Sequence, residues 1–353
     1  MCEKIKVLVV DDSSYVISTV SKKLETDPGI EVIGSAHNGL EAVEKVKSLK
    51  PDVVTLDVVM PEMDGLTALE RIMSEYPTPV IMLSALTDES AESTLRALEL
   101  GAVDFFLKPS VVNPAGNGKD TSTLIEKVKI AAKVKILIRK LRAQAAAANA
   151  ERPKSNIGKD SILRKVVVIG SSTGGPRALM QVIPELPGDL PAAVLVVQHM
   201  PPVFTRTLAD RLGQVSKMEV KEAQKGDPIK CGLVLVAPGD YHMELSDDGK
   251  ITLNQSPPVM GVRPSVDVTM KSVARIFKSS TLGVILTGMG SDGTLGASHI
   301  KAQGGKVLAE DKSTCTIYGM PMSAIKAGYV DKVLPISEMA SEIIKECMER
   351  VAV

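Results

Sequence analysis

Tryptophan is absent from this 353-residue chain, and aromatic residues make up only 3% of it. Neither charge is in surplus, because 42 Lys and Arg balance 42 Asp and Glu. Without a basic footprint or stacking aromatics, nucleic-acid binding is not expected. The longest apolar runs, such as Val7 to Val10 and Ala192 to Val197, are far short of the ~18 residues of a membrane span. The start, Met1-Cys2-Glu3-Lys4-Ile5, reaches Asp11-Asp12 too soon for a signal peptide. The four cysteines (Cys2, Cys231, Cys315, Cys347) lie far apart with no C-x-x-C pair, which argues against a disulfide framework and a zinc site. These absences leave a soluble, cytoplasmic, globular chain. At roughly 150 residues per domain it is long enough for two.

The first third alternates short apolar segments with amphipathic ones. Strands are expected at Ile5 to Val10, Glu31 to Ala36, Val53 to Leu56, Val80 to Ser84 and Phe105 to Leu107. Five strands interleaved with helices in about 125 residues imply a doubly wound parallel sheet. Leu124 to Leu141 then reads as one long basic helix, carrying Lys127, Lys129, Lys133, Lys135, Arg139 and Lys140 on a solvated face. It fades into the alanine-rich stretch 143–150 and the polar stretch 151–158, a composition expected of a linker. A second alternating pattern starts at Lys165, with strands expected at Val166 to Ile169, Ala193 to Val197, Leu233 to Ala237, Gly283 to Thr287 and Lys306 to Ala309. Helical spacing covers Pro176 to Leu186, Val266 to Phe277 and Leu295 to Gln303, and Ile251 to Leu253 suits a small hairpin. The expected division is 1–125 and 161–353, joined by a helical and polar linker at 126–160. Both domains are α/β with mostly parallel sheets.

In the first domain the strands end in chemically useful residues: Asp11 and Asp12, Asp57, Ser84, and Lys108. The carboxyl ends of parallel strands share one edge, where ligands bind. Clustered carboxylates repel and call for a cation, and hard oxygen ligands suit Mg²⁺. A carboxylate beside Mg²⁺, a hydroxyl and a fixed ammonium is arranged to accept a phosphoryl group as an acyl phosphate. With Asp11-Asp12, the run Leu56 to Gly65, Ser84-Ala85 and Lys108-Pro109, residues 5 to about 125 resemble the receiver domain of bacterial response regulators, a flavodoxin-like fold. That resemblance implies Asp57 as phosphoacceptor, with Asp11, Asp12 and Asp57 holding Mg²⁺. It also implies that Ser84 and Lys108 contact the phosphoryl oxygens and that Phe105 is the aromatic switch residue.

Three loops of the second domain follow apolar strands. Gly170 to Pro176 is a small-residue turn that exposes a serine, Ser171 or Ser172, ahead of a helix whose N-terminus supplies N–H donors. The loops Gln198 to Pro202, with His199, and Thr287 to Gly293, with Asp292, follow two other strands. A serine needs a base to take its proton, and an imidazole needs a carboxylate to fix its tautomer, so this set can form a triad. Among the four histidines His242 rivals His199, whereas His37 lies in the first domain and His299, inside a helical pattern, reads as a packed or surface residue. Gly288 to Gly293 also fits the G-x-G-x-x-G dinucleotide fingerprint, with Glu310 as the ribose-binding acid. That reading leaves Ser172 and His199 unexplained.

Residues 165 to about 350 resemble the catalytic domain of the chemotaxis protein-glutamate methylesterases, the CheB family, a Rossmann-like α/β hydrolytic fold. The resemblance rests on Gly170 to Gly175, Gln198 to Pro202, Ala237 to Asp240, His242 to Glu244, Arg263 to Asp267, Leu286 to Gly290, Asp292-Gly293 and Tyr318 to Pro321. It implies Ser172 as nucleophile, His199 as base, Asp292 as orienting acid, and the N–H groups near Thr173 and Met289 as oxyanion donors. It further implies hydrolysis of glutamate 5-methyl esters, and deamidation of glutamine, on the cytoplasmic helices of methyl-accepting chemoreceptors. A chemotaxis histidine kinase is the implied phosphodonor. Mg²⁺ would serve the receiver and no cofactor the esterase reaction, with no nucleic acid partner and no membrane insertion. The alternative of a different class is a non-enzymatic phosphoswitch controlling a binding domain.

Overall fold

The computed structural model describes residues 3–108, 124–134 and 163–349, in a chain that divides into two compact units, Met1–Ala150 and Glu151–Val353. In the first, β1 (Ile5–Val10), β2 (Ile30–Ala36), β3 (Val53–Asp57), β4 (Val80–Ser84) and β5 (Asp104–Leu107) form a parallel sheet in the order β2-β1-β3-β4-β5. Val7 to Val10 are wholly buried, as expected of a central parallel strand covered on both faces. Helices α1 (Ser14–Leu24), α2 (Gly39–Leu49), α3 (Gly65–Glu75) and α4 (Asp88–Leu100) supply the cover. Each starts on an N-cap side chain, from Ser13, Asn38, Asp64 and Thr87, that accepts a main-chain N–H two residues into the helix.

A fifth helix, α5 (124–134), belongs to this sheet and does not lead away from it. Leu124, Val128, Ala131 and Val134 are buried, Lys127 pairs with Asp104 at 2.6 Å, and Lys129 pairs with Asp27 at 2.5 Å. The expected boundary at 125 therefore falls two residues into a packed helix, and two of its lysines are paired. The helical reading of 135–141 and the rest of the linker lie outside the described residues.

The second unit is built on a seven-stranded parallel sheet in the order β14-β13-β12-β6-β7-β9-β8. Its strands are β6 (Lys165–Ser171), β7 (Ala192–Gln198), β8 (Glu219–Glu222), β9 (Leu233–Val236), β12 (Thr281–Ile285), β13 (Lys306–Glu310) and β14 (Lys332–Leu334), while β10 (His242–Leu245) and β11 (Ile251–Asn254) pair antiparallel. The helices are α6 (Gly175–Val182), α7 (Phe204–Val215), α8 (Val266–Phe277), α9 (Thr294–Ala302), α10 (Met320–Lys326) and α11 (Ile336–Met348). The chain builds outward from β6 through β7 to β9 and β8, then crosses to β12 and continues to β13 and β14. That reversal opens a crevice at the carboxyl ends of β6 and β12, where open α/β sheets bind ligands. Every residue of β6 and β7 is buried, which explains the apolar runs Val166 to Ile169 and Ala192 to Val197. No helix among the described residues is long and apolar enough to cross a membrane.

Candidate functional sites at two sheet edges

In the first unit, β1 and β3 are neighbours at the point where strand order reverses, and they deliver Asp11, Asp12 and Asp57 to one edge. One carboxylate oxygen from each lies within 4.8 Å of the others. Lys108, one residue past β5, places its ammonium 2.8 Å from Asp11 Oδ2 and 2.8 Å from Asp57 Oδ1. Burial pushes the Asp57 carboxyl above the ordinary carboxylate range, against the opposing pull of Lys108. Burial would lower the Lys108 ammonium, yet its bonds to Asp11 and Asp57 win and hold it above its usual value. One ammonium between two buried carboxylates leaves net negative charge, and the oxygen donors fit a hard divalent cation such as Mg²⁺. Ser84 Oγ accepts from Thr94 Oγ1 at 2.8 Å and donates to the Ala85 carbonyl at 3.1 Å. Phe105 is buried with the Lys127 ammonium 5.6 Å from its ring centroid.

Gly65 has a packing role in this site. A Cβ built there would stand 1.9 Å from the Asp57 carbonyl oxygen, and its N–H donates to the Val58 carbonyl at 2.9 Å. The start of α3 is thus pressed against the strand end that carries Asp57. Gly65→Ala is expected to destabilise this unit by ~1–3 kcal/mol, the usual cost of overpacking. An unchanged melting temperature would show that α3 shifts freely.

In the second unit the three expected side chains come from adjacent strands. Ser172 follows β6, His199 follows β7, and Asp292 lies in the loop between β12 and α9. The β6–β7 register pairs Ser171 with Gln198, and the His199 N–H donates to the Ser171 carbonyl at 3.1 Å, which sets Ser172 beside His199. His199 Nε2 lies 2.8 Å from Asp292 Oδ2. A carboxylate only accepts, so Nε2 carries the proton and Nδ1 is left as the basic nitrogen. Asp292 is buried, and burial would raise its carboxyl. The hydrogen bond from His199, with the N–H groups of Asp267 and Val266, outweighs this and holds it below the usual range.

The nucleophile turn is braced from several sides. The Ser172 N–H donates to the Thr287 carbonyl at 3.0 Å, and the Ser172 carbonyl accepts from the Gly175 N–H at 2.8 Å. Gln198 Nε2 donates to that same carbonyl at 2.9 Å while its Oε1 accepts from Ser171 Oγ at 2.7 Å. Ser171 is fully buried and Ser172 half-buried, so the two serines that the sequence leaves as alternatives differ in access. A Cβ on Gly288 would stand 2.9 Å from Ser172 Cβ, so this glycine brings the loop carrying Met289 against the serine. Thr287 Oγ1 donates to the Thr173 carbonyl at 3.0 Å.

The rivals lie elsewhere. His242 sits in β10, almost wholly buried, with Nε2 3.2 Å from the Pro257 carbonyl. Glu310, the would-be ribose acid, is also buried, accepting from the Thr287 N–H at 2.8 Å and Thr314 Oγ1 at 3.0 Å, and burial raises its carboxyl. A group so committed cannot grip a sugar hydroxyl, and the dinucleotide reading loses its acid. Gln198, Ser265 and Asp267 lie in the runs that carry the family resemblance, yet their roles are not legible in the sequence. A polar residue followed by an acid at the start of a helical period, as in Ser265-Val266-Asp267, reads as an ordinary helix start.

Residues 167–343 match the family model described as CheB methylesterase, and residues 7–114 match that of the response regulator receiver domain. A protein of Symbiobacterium thermophilum named protein-glutamate methylesterase/protein-glutamine glutaminase is 48% identical over 350 residues, covering 97% of this chain and 96% of its own. One of the same name from Pyrococcus horikoshii is 47% identical, covering 98% and 94%. The crystal structure of the Thermotoga maritima CheB methylesterase catalytic domain aligns with a TM-score of 0.50 at 52% identity, over 51% of this chain and 97% of that one.

Proposed function

This chain belongs to the CheB methylesterase family, with a receiver ahead of the catalytic half, and from that premise we propose that it is a phosphorylation-regulated, Ser-His-Asp hydrolase. Its substrates are glutamate 5-methyl esters, and glutamine carboxamides, on the cytoplasmic helices of chemoreceptors. The observation that carries the reading is the 2.8 Å contact of His199 with Asp292 at the strand-end crevice that also holds Ser172.

Ser172 Oγ adds to the ester carbonyl carbon as its proton passes to His199 Nδ1. Asp292 accepts from Nε2–H throughout and stabilises the imidazolium. The main-chain N–H groups of Thr173 and Met289 receive the tetrahedral oxyanion, typically the largest electrostatic contribution to such catalysis. Collapse breaks the bond to methoxide, which takes the proton back from His199 and leaves as methanol. Water then adds to the acyl-serine as its proton passes to His199, which returns that proton to the departing Ser172 Oγ; the glutamic acid formed ionises to its carboxylate, and Ser172 is free again. A carboxamide reaches the same intermediate and releases ammonia. The catalytic unit is residues 161–353 and acts in the cytoplasm, without a cofactor.

Asp57 is the proposed phosphoacceptor, supplied by a chemotaxis histidine kinase. Asp11, Asp12 and Asp57 would hold Mg²⁺, which when bound neutralises charge on the incoming phosphoryl group. Lys108 and Ser84 are the proposed partners of its oxygens, and Phe105 the residue that repacks. Coupling of about 1–3 kcal/mol would give roughly 5–150-fold activation. A small-molecule phosphodonor with Mg²⁺ is expected to raise methanol release from a methylated receptor fragment. A chelator, or Asp57→Asn, should abolish the rise and leave the basal rate unchanged. Equal activation in Asp57→Asn would overturn the phosphoacceptor assignment.

A further inference from the structure

Two helix starts meet behind the proposed triad, and each is held by a carboxylate carried on the other's chain segment. Asp292, ahead of α9, accepts from Ser265 Oγ at 2.9 Å and from the N–H groups of Val266 at 2.7 Å and Asp267 at 3.0 Å, where α8 begins. Asp267, in the first turn of α8, accepts at Oδ1 from the N–H groups of Gly293 at 2.9 Å and Gly296 at 2.6 Å, where α9 begins. Neither helix has a side-chain bond from its own N-cap residue, Ser265 or Gly293. The crossed carboxylates satisfy donors that a helix start leaves open, and the positive ends of both helices favour the two anions.

The closeness depends on Gly296, where a Cβ would stand 2.6 Å from Met270 Cβ and 3.1 Å from the Asp267 Cα. The loop carrying Asp292 is otherwise permissive, with Gly290 at φ +85° and Gly293 at φ +91°. What ties its far end is Asp267, which also donates its own N–H to Asp292. Residue 267 thus closes a ring of hydrogen bonds around the acid that holds His199. The ionisable group facing Asp267 is Asp292, with His199 next in line. Burial pushes the Asp267 carboxyl up to about 6; the Asp292 charge adds to that push, and the Gly296 and Gly293 N–H groups oppose it.

We propose that Asp267 is a positioning residue of the esterase: by tying the start of α9 to α8 it holds the Asp292 carboxylate in the orientation that presents Oδ2 to His199. The proposal rests on the triad reading, and a double-mutant cycle on the full-length protein separates the two. Asp267→Ala should lower kcat for methanol release roughly 10–100-fold with KM little changed, the signature of a loss felt in the transition state. Asp267→Asn keeps an acceptor oxygen and should recover most of that loss. In an Asp292→Ala background, Asp267→Ala should cost less than about twofold further, because contacting residues that act as one unit are not additive. If Asp267→Ala does not fold, Asp267→Glu, which displaces the carboxylate by one methylene, completes the same cycle. Equal losses in both backgrounds, or an unchanged kcat in Asp267→Ala, would overturn the proposal. Normal turnover in the Asp292→Ala single variant would overturn the triad beneath it.

Discussion

Replacing Ser172 with alanine should lower receptor demethylation by at least ~10³-fold, because only binding and oxyanion stabilisation remain once the nucleophile is gone. Ser171→Ala should be mild by comparison. The Ser171 hydroxyl is buried and committed to Gln198 Oε1 at 2.7 Å, and its loss leaves the Gln198 bond to the Ser172 carbonyl in place. Release of labelled methanol from a methylated receptor fragment distinguishes the two. Near-normal turnover in Ser172→Ala would move the nucleophile elsewhere.

His199→Gln should be close to inactive, with a loss of order 10³-fold or more, because no other base stands at the end of β7 to take the serine proton. His242→Gln should keep the turnover of its folded fraction. Its imidazole lies in the β10–β11 hairpin against the Pro257 carbonyl, so its removal acts on packing and not on chemistry. Steady-state rates normalised to folded protein check both variants. An inactive, fully folded His242→Gln beside an active His199→Gln would mean that the wrong imidazole carries the reaction.

The strands nearest the two sites are those most legible in the sequence, and for one reason. β1, β3, β6, β7 and β12 are central and covered on both faces, so their sequences are continuous apolar runs with a polar residue where each run stops. That stop is also the edge where chemistry gathers, which is why Asp57, Ser172 and His199 stand out. The edge strands of the second sheet do not announce themselves. β8 is Glu219-Val-Lys-Glu222, half exposed, and β14 has only three residues, so neither carries an apolar run. Lys127 and Lys129 of α5 read as solvated because their partners Asp104 and Asp27 are distant in sequence. Asp267 was hidden for a similar reason. Its value lies in the meeting of two helix starts, and a local pattern cannot show that the acid at one start serves the other. The choice between Ser171 and Ser172 turns on burial, which adjacent residues of one type do not reveal in sequence.

The most direct test of a regulated serine methylesterase is mass spectrometry of a methylated chemoreceptor fragment after incubation with the full-length protein, with and without a phosphodonor and Mg²⁺. The predicted result is loss of methyl groups from glutamate side chains and conversion of susceptible glutamines to glutamates. Both should be faster with the phosphodonor and absent with Ser172→Ala. A receptor fragment whose mass is unchanged under every condition, or changed equally by Ser172→Ala, would contradict the account.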